Sequence, residues 1–460
     1  MQTTSEILTA LQKVFPQEKL KTDVECCVRY SSDRTELSST SAAAVFFPDN
    51  NEDVIALVKL ANELGFCIVP SGGRTGLSGG SCTVQHEVVV SLERMNRIIA
   101  YDDVDNVVHC QAGVITQNLQ QYAEQKGVFY PVDFASSGSS QLGGNVATNA
   151  GGVHVMHYGM TRQQVVGLVV VTGEGKLLKF DKGLRKNNAG YDLKQLFIGS
   201  EGTLGIVTEV LLQFVKKPAK LSLLSGFDSF EKLLEFYFDL RGRVNVYAAE
   251  FYTAFCEAKV LSRFEIKSPL VKKCPFSLLV EFEDTEIATA MVSELIEKYQ
   301  PIKSVVAVNQ SQQKSLWAVR ENISDALTTQ LLLKNDIAVR PSLLSRFLTE
   351  CASDLRNLSA DLQLAVFGHL GDGNIHFNVV VEKNVVRTDQ KFIEKMKKAI
   401  AGNLLVKLEK YHGSISAEHG IGLLKTDLLA KNESEEILGY MKQLKMVFDP
   451  KGVLNPGKVF

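Results

Sequence analysis

Two segments in the C-terminal half of the chain combine histidines with acidic or amide side chains at spacings that suit metal chemistry. The first consists of two strand-like runs joined at Asp372-Gly373, a dipeptide typical of two-residue hairpin turns. A turn at that pair would place His369 directly opposite His376, where two imidazoles could share one divalent ion. Asn378 follows His376 by two residues, so we expect it on the same face of the strand.

The second segment, residues 416–422, places an acid beside another histidine. An acid is the expected third ligand of a site that already has two imidazoles. Adjacent side chains diverge, so Glu418 and His419 can have different tasks, one closing the metal site and the other facing a substrate. The remaining histidines show no comparable arrangement and are left unassigned: His86, His109, His154, His157 and His412.

Three segments rich in Gly, Ser and Thr in the N-terminal half indicate backbone that approaches a ligand closely: residues 70–76, 131–152 and 199–206. Consecutive glycines let several N–H groups converge on an anion such as a pyrophosphate. The chain has neither a Gly-x-Gly-x-x-Gly motif leading into a helix nor a P-loop, so neither of those nucleotide sites is indicated. Three separate clusters in one domain favour a large cofactor that lies across it.

These three clusters stand in the order found in the vanillyl-alcohol-oxidase/p-cresol-methylhydroxylase family of FAD proteins, which the chain resembles over nearly its whole length. The resemblance implies non-covalent FAD, because the matching stretches offer no clear His or Cys tether. Arg74 stands where many relatives carry Asn or another polar residue, which leaves its role open. The residues implied to bind FAD are Pro70, Ser71, Gly72, Gly73, Arg74, Thr75, Gly76, Pro131, Ser137, Gly143, Gly144, Asn145, Thr148, Gly151, Gly152, Tyr158, Glu201, Gly202, Ile206 and Asn455.

The histidine segments resemble the branch of this family formed by FAD-linked D-2-hydroxy-acid dehydrogenases, and among these they are most similar to the D-2-hydroxyglutarate dehydrogenases. The similarity implies that His419 is the catalytic base. It implies three ligands for Zn or a similar divalent ion: His369, His376 and Glu418. It also implies four substrate-binding residues: Arg320, Ser324, Lys334 and Asn378.

Arg320 and Ser324 lie four residues apart, so we expect them on one helical face, where they would bind a carboxylate together with Lys334. Relatives often have Ser-Val/Leu-Pro after the Lys-x-Asp motif, whereas this chain continues to Arg340-Pro341. Arg340 could add a carboxylate contact or lie outside the site, and this leaves the length of the substrate open.

The reaction implied is the oxidation of a small D-2-hydroxy acid, first of all D-2-hydroxyglutarate to 2-oxoglutarate. The metal would bind the C2 hydroxyl and C1 carboxylate, His419 would take the hydroxyl proton, and the C2 hydride would pass to flavin N5. Because no nicotinamide fingerprint is present, the expected electron acceptor is a quinone or an electron-transferring flavoprotein. The alternatives are a D-lactate, D-malate or glycolate dehydrogenase, or a non-catalytic FAD subunit of a larger complex.

The fold class expected is α+β. A two-part FAD-binding domain of the p-cresol-methylhydroxylase type (residues 1–215) would precede an antiparallel-sheet α+β domain for substrate and metal (216–410). A helical segment (411–460) would complete the active site and the FAD pocket. Strands of mixed polarity after residue 216 favour a sheet with its helices packed on one face.

Bulk composition excludes several classes of protein. With 50 Lys and Arg against 52 Asp and Glu, no electrostatic attraction to nucleic acid is expected. The longest apolar runs are far shorter than the roughly 20 residues of a membrane-spanning helix, and the start lacks the features of a secretion signal. The eight cysteines form no Cys-x-x-Cys pair, which favours reduced thiols. We therefore expect a cytoplasmic protein, with peripheral membrane association for electron transfer and a homodimer both left open.

Overall fold

The fold was analysed in a computed structural model that describes residues 4–35, 37, 39–328, 331–381 and 390–460. The helices are α1 (Thr4–Val14), α2 (Val24–Tyr30), α3 (Asn51–Leu64), α4 (Thr116–Gln125), α5 (Leu142–Thr148), α6 (Val155–Tyr158), α7 (Thr161–Gln164), α8 (Lys194–Phe197), α9 (Phe230–Arg241), α10 (Ala254–Phe264), α11 (Glu286–Tyr299), α12 (Gln310–Glu321), α13 (Ile323–Leu327), α14 (Leu344–Leu358), α15 (Gln390–Tyr411), α16 (Thr426–Asn432) and α17 (Glu435–Phe448).

The strands are β1 (Leu20–Lys21), β2 (Ala44–Phe46), β3 (Ile68–Ser71), β4 (Val88–Ser91), β5 (Ile98–Asp102), β6 (Val107–Gln111), β7 (Val128–Phe129), β8 (Val165–Thr172), β9 (Leu177–Phe180), β10 (Gly205–Gln213), β11 (Val215–Lys216), β12 (Lys220–Phe227), β13 (Val246–Thr253), β14 (Phe276–Glu283), β15 (Lys303–Ala307), β16 (Leu331–Ala338), β17 (Leu362–His369) and β18 (Asn374–Val381).

The chain divides into two compact units, and each is discontinuous in sequence. The first unit comprises Met1–Gly152, Gly159–Lys217 and Glu418–Phe460, and the second comprises Val153–Tyr158 and Pro218–Ala417. The short helix α6 therefore belongs to the second unit although its sequence is flanked by the first. The closing segment of the chain returns to the first unit.

The first unit contains two main sheets in the described residues, with strand orders β1-β2-β4-β3 and β5-β6-β10-β8-β9. Strand β3 pairs in parallel with β4 alone in its sheet and is an edge strand, which suits Pro70 because proline has no N–H to donate to a neighbouring strand. Helix α3 leads into it. That helix begins after Asn50, whose side chain accepts from Asp53 N, and ends at Gly65 in the left-handed region.

The second unit is built on an antiparallel sheet with the strand order β15-β12-β14-β13-β17-β18-β16 in the described residues. Our prediction that helices cover one face of this sheet is wrong. Phe230 of α9 packs against Phe251 at 5.1 Å between ring centroids, whereas Tyr252, on the opposite face of the same strand, packs in a cluster with Trp317 of α12. Helices therefore lie on both faces, and strands such as β14 are buried on both sides.

Most elements that the periodicity predicts are present. Apolar periodicity predicts helices at 51–64 and 116–126 and a strand at 165–171. Helix α3 has the predicted bounds, α4 ends one residue earlier, and β8 is one residue longer. The predicted α+β class with antiparallel sheets is confirmed. None of the helices in the described ranges is both long enough and apolar enough to cross a membrane.

Candidate active site

The three glycine-rich segments meet in the first unit around the loop that follows β3. A Cβ atom on Gly73 would lie 2.0 Å from the carbonyl oxygen of Ser139, so only glycine allows this contact between the first and second segments. On the other side, a Cβ atom on Gly202 would lie 3.2 Å from Pro70, which brings the third segment to the same loop. The clusters thus form one continuous lining of backbone.

Polar groups in this lining are buried without partners. Among the described residues, no hydrogen bond is formed by the hydroxyl of Ser71, the side-chain oxygen of Gln141 or that of Asn455. Asn455 is itself fixed, because its Nδ2 donates to the backbone oxygens of Gly80 and Glu201 at 2.9 and 2.7 Å. Buried polar atoms are nearly always paired in folded proteins, so these three atoms fit a polar ligand such as FAD.

Several residues implied to bind FAD use their side chains inside the protein instead. Asn145 Nδ2 donates to Thr116 Oγ1 at 2.7 Å, and Thr148 Oγ1 donates to the backbone oxygen of Gly144 at 3.0 Å. Ile206 is 1% exposed and lies in the hydrophobic core. Other members of the implied set lie in the same loops or at their ends: Gly72, Thr75, Gly76, Pro131, Ser137, Gly143 and Gly151.

Arg74 has a structural partner that the sequence did not suggest. Its guanidinium lies 3.9 Å from the centroid of the Tyr30 ring, a cation–π contact, and its backbone is in the left-handed region at φ 54°. The Tyr30 hydroxyl donates to Glu93 at 2.7 Å. Burial, and next the bond to Glu93, raise the pKa of Tyr30 to about 12. The stack holds the Arg74 side chain against this ring.

Glu201, also implied to bind FAD, holds the loop that follows the catalytic histidine candidate. Its carboxylate accepts from the backbone N–H groups of Ile421 and Gly422 at 2.7 and 2.8 Å. Burial raises the pKa of Glu201, and the two N–H donors oppose this rise only in part. Gly422 is required at its position, because a Cβ atom there would lie 2.2 Å from Ser78 O.

Glu418 and His419 begin the closing segment of the first unit, and both are half-buried. Glu418 Oε1 accepts from the backbone N–H of Gly152 at 3.1 Å. The backbone oxygen of His419 accepts from Ser78 Oγ at 2.8 Å. Their roles as metal ligand and base stay predictions, and within this unit the structure shows bonds to the side chain of Glu418 and to the backbone of His419.

In the second unit the histidine hairpin forms, but the predicted register is wrong. His369 pairs with Asn374, and His376 pairs with Phe367, so the turn spans the four residues 370–373. The turn is longer than predicted because Asp372 Oδ1 accepts from the N–H of Asn374 at 3.0 Å and Gly373 N donates to the backbone oxygen of His369 at 3.1 Å.

The two imidazoles nevertheless meet, because His369 and His376 occupy diagonal positions on one face of the sheet. Their ring centroids are 5.4 Å apart with an interplanar angle of 74°, and one nitrogen of each ring lies within 4.8 Å of the other's. Diagonal neighbours remain within reach of long or aromatic side chains. Imidazole nitrogens are common ligands of Zn, so the pair fits a metal of that kind.

A buried carboxylate stands behind each of these histidines. Glu250, which is fully buried, pairs in register with His369 and accepts from its Nδ1 at 2.6 Å. Asp336 pairs in register with His376, with its Oδ1 at 4.0 Å from Nδ1. Asn374 Nδ2 donates to Asp336 Oδ1 at 2.8 Å and holds it in place. Nδ1 of His369 is therefore hydrogen-bonded to a carboxylate, whereas Nδ1 of His376 lies near one but beyond hydrogen-bond distance.

The substrate-binding residues are partly brought together. Lys334 pairs in register with Asn378, and both lie on the sheet face of His376. Our prediction that Arg320 and Ser324 share a helical face is wrong, because α12 ends at Glu321 and α13 begins at Ile323. Arg320 is buried, whereas Ser324 is exposed.

Arg320 forms an ion pair with Glu250, a residue that the sequence motifs did not identify. Its Nε and Nη2 each lie 2.7 Å from Glu250 Oε2, and its guanidinium lies 4.8 Å from the centroid of Phe367. A signal was present in the sequence, since Glu250 is the single charge in the apolar strand β13. A charge in such a strand is costly unless it is paired, and this indicates a partner.

A third buried carboxylate, after Glu250 and Asp336, lies on the same face of this sheet. Glu281 in β14 accepts from His154 Nε2 at 3.0 Å and forms a close ion pair with Lys220. His154 precedes α6, whose Tyr158, implied to bind FAD, stacks on Tyr247 at 6.3 Å between ring centroids. Burial raises the pKa of Tyr158 to about 12.

Comparisons with known proteins show the family of the chain. Residues 42–181 match the family described as FAD binding domain, and residues 216–459 match FAD linked oxidases, C-terminal domain. The chain is 40% identical to D-2-hydroxyglutarate dehydrogenase of Stutzerimonas stutzeri strain A1501, over 99% of this chain and 98% of that protein. It is 35% identical to the mitochondrial D-2-hydroxyglutarate dehydrogenase of Bos taurus, over 98% and 83%.

Solved structures share the fold at low sequence identity. A p-cresol methylhydroxylase with substrate bound superposes with a TM-score of 0.77 at 16% identity, covering 99% of this chain and 97% of that one. A 4-ethylphenol oxidase from Gulosibacter chungangensis gives 0.76 at 18% identity, with 99% and 96% covered.

Proposed function

Since the chain belongs to the FAD-linked oxidases, we propose that it oxidises a small D-2-hydroxy acid, with D-2-hydroxyglutarate as the substrate and 2-oxoglutarate as the product. The family makes the chain an FAD-dependent oxidoreductase. The specific substrate is supported by relatives named D-2-hydroxyglutarate dehydrogenase that match over nearly the whole chain. The observation that carries the proposal is the pair of imidazoles backed by buried carboxylates.

The cofactors contribute what the protein's side chains cannot. FAD, when bound, supplies the acceptor for the two electrons removed from C2 of the substrate. A divalent ion such as Zn, when bound, makes the C2 hydroxyl more acidic. The first unit would hold FAD through its glycine-rich backbone and the unpartnered groups of Ser71, Gln141 and Asn455. In the second unit, His369 and His376 offer two ligand nitrogens for the metal.

The remaining residues would bind the substrate and move its proton. Glu418 keeps the role of a metal ligand and His419 that of the base, which takes the C2 hydroxyl proton, because the family resemblance implies both. Lys334 and Asn378 are suited to a carboxylate, since they offer a cation and an amide in one row of the sheet. The acceptor that reoxidises FAD would be a quinone or an electron-transferring flavoprotein.

An anaerobic titration of the purified yellow protein tests this proposal. D-2-hydroxyglutarate is expected to bleach the flavin absorbance at lower concentration than D-malate, D-lactate or glycolate, with L-2-hydroxyglutarate as the stereochemical control. Preference for a monoacid would contradict the substrate assignment. Failure of every D-2-hydroxy acid to bleach the flavin would identify a non-catalytic FAD subunit.

The proposed base is tested in the same assay by His419→Asn. The variant is expected to retain FAD and to reduce it about 10² to 10⁴ times more slowly, because the hydroxyl proton has no positioned acceptor. His412→Asn replaces an exposed histidine of the second unit and serves as the matched control. Equal rates for wild type and His419→Asn would remove the role of His419 as the base.

A further inference from the structure

We propose that Glu250 is a positioning residue that couples metal binding to carboxylate recognition, by holding His369 with one carboxylate oxygen and Arg320 with the other. The inference rests on the proposed function, because it assigns His369 to the metal and Arg320 to the substrate. Neither the family match nor the sequence motifs pointed to this glutamate.

The two oxygens of Glu250 are fully divided between the two partners. Oε1 lies 2.6 Å from His369 Nδ1, and Oε2 lies 2.7 Å from both Nε and Nη2 of Arg320. Glu250 is 0% exposed and Arg320 is 8% exposed, so water does not compete for these bonds. Charge-assisted hydrogen bonds of this kind are short and directional, and they fix the side chains that form them.

The chemistry of a carboxylate determines which tautomer His369 adopts. A carboxylate can only accept hydrogen bonds, so the neutral imidazole must carry its proton on Nδ1 to bond Oε1. Nε2 then carries a lone pair instead of a proton, and an unprotonated imidazole nitrogen is the form that binds a metal. A carboxylate behind a metal-binding histidine orients the ring and raises its basicity.

Arg320 is held on two sides. Glu250 takes the edge formed by Nε and Nη2, while the guanidinium plane lies 4.8 Å from the centroid of Phe367. The Phe367 ring lies in turn 4.7 Å from that of His376. The edge that contains Nη1 forms none of these bonds to Glu250, and a substrate carboxylate can be recognised there without displacing Glu250. One carboxylate thus sets the positions of a metal ligand and of a cation for the substrate.

Glu250→Gln removes this arrangement while it preserves the size of the side chain. An amide has a single acceptor oxygen, so it can serve Arg320 or the Nδ1–H of His369, not both. If its NH₂ group turns toward His369, Nδ1 must accept that hydrogen bond, and Nε2 then carries the proton and cannot bind a metal. The matched control is Glu257→Gln, which neutralises another buried glutamate of the second unit, bonded to Ser268.

The test measures zinc affinity by competition with a chromogenic chelator on the full-length, FAD-loaded protein, and measures KM and kcat for D-2-hydroxyglutarate alongside. Glu250→Gln is expected to bind zinc about 10 to 100 times more weakly than wild type and to raise KM. Glu257→Gln is expected to match wild type in zinc affinity. If Glu250→Gln has the zinc affinity and KM of Glu257→Gln, the inference is wrong.

Two further variants keep the outcomes separate. Glu250→Asp retains the buried charge in case the Gln variant does not fold, and its shorter side chain is expected to weaken zinc binding as well. Wild-type zinc affinity in a folded Glu250→Asp protein would count against the inference. His376→Ala should abolish zinc binding if the metal part of the proposed function is correct. A wild-type protein that reduces FAD with substrate but binds zinc no better than His376→Ala would overturn the metal assignment and the inference together.

Discussion

Glu201 in the first unit and Glu281 in the second are both buried carboxylates, but they are held by different kinds of group. Glu201 accepts from two backbone N–H groups of the loop after His419, whereas Glu281 is paired with the side chains of Lys220 and His154. The first carboxylate fixes a backbone segment, and the second neutralises charges on a sheet. The contrast extends to the units, since one presents glycine-rich backbone and the other presents charged side chains.

The electrostatic consequences have opposite signs. Burial raises the pKa of Glu201, and its N–H donors offset this rise only in part. Burial would also raise the pKa of Glu281, but the hydrogen bond from His154 and the charge of Lys220 outweigh it and lower that pKa. The backbone N–H groups lower the pKa of Glu201 by less than burial raises it, whereas the cationic partners of Glu281 lower its pKa by more than burial raises it.

The largest effect is expected where the first unit depends on bare backbone. Gly73→Ala should destabilise the protein by about 3 kcal/mol or more, because its Cβ would lie 2.0 Å from Ser139 O, and bound FAD should be lost. Gly144→Ala is the control, since a Cβ there meets nothing within 4 Å. It should fold normally but hold FAD less tightly. Urea unfolding would measure the stability of the two variants, and flavin content would measure their bound FAD. Equal stability of the two variants would contradict the requirement for glycine at position 73.

A smaller loss of stability is expected for Glu281→Gln, because this change leaves Lys220 without its carboxylate partner. The cost should be about 2 kcal/mol at pH 7. Because the pKa of Glu281 is lowered on folding, its contribution to stability is present above the unfolded pKa of about 4.3 and is lost as the pH falls through the folded pKa. The urea midpoints of wild type and variant should therefore converge in acid, and a gap independent of pH would argue against the ion pair.

The smallest effect, about 1 kcal/mol, is expected for Glu201→Gln, since an amide oxygen can still accept one of the two N–H groups. The pH dependence of the stability that Glu201 contributes should be opposite to that of Glu281. The pKa of Glu201 is raised, so its contribution is fully present below the unfolded pKa and is lost as the pH rises through the folded pKa. From pH 4 to pH 7 the variant should gain stability relative to wild type, and the opposite slope would break the contrast between the two carboxylates.

Local patterns in the sequence predicted the local parts of the fold. Helix α3 and strands such as β8 follow from periodicity and capping residues within a few positions. The glycine clusters were identified because glycine is chosen where backbone must pass close to something, and Gly73 does so. The family match then confirmed the FAD-binding class.

What the sequence did not predict depends on contacts between distant segments. The turn after His369 was predicted two residues too short, because a side chain of the turn, that of Asp372, caps the next strand. The break between α12 and α13 at Asn322 could not be predicted, because no Pro or Gly lies there. Glu250 joins residues 70 and 119 positions away, and no spacing rule relates them.

The return of Glu418–Phe460 to the first unit affects how the protein is made. Leu454 forms a parallel bridge with Ile68, and Asn455 bonds the oxygens of Gly80 and Glu201. Because Pro218–Ala417 is synthesised before Glu418–Phe460, the first unit cannot finish folding until Glu418–Phe460 has emerged from the ribosome. Until then the nascent chain leaves the edge of β3 uncovered, and a truncation that removes Leu454 and Asn455 would harm the N-terminal flavin fold first.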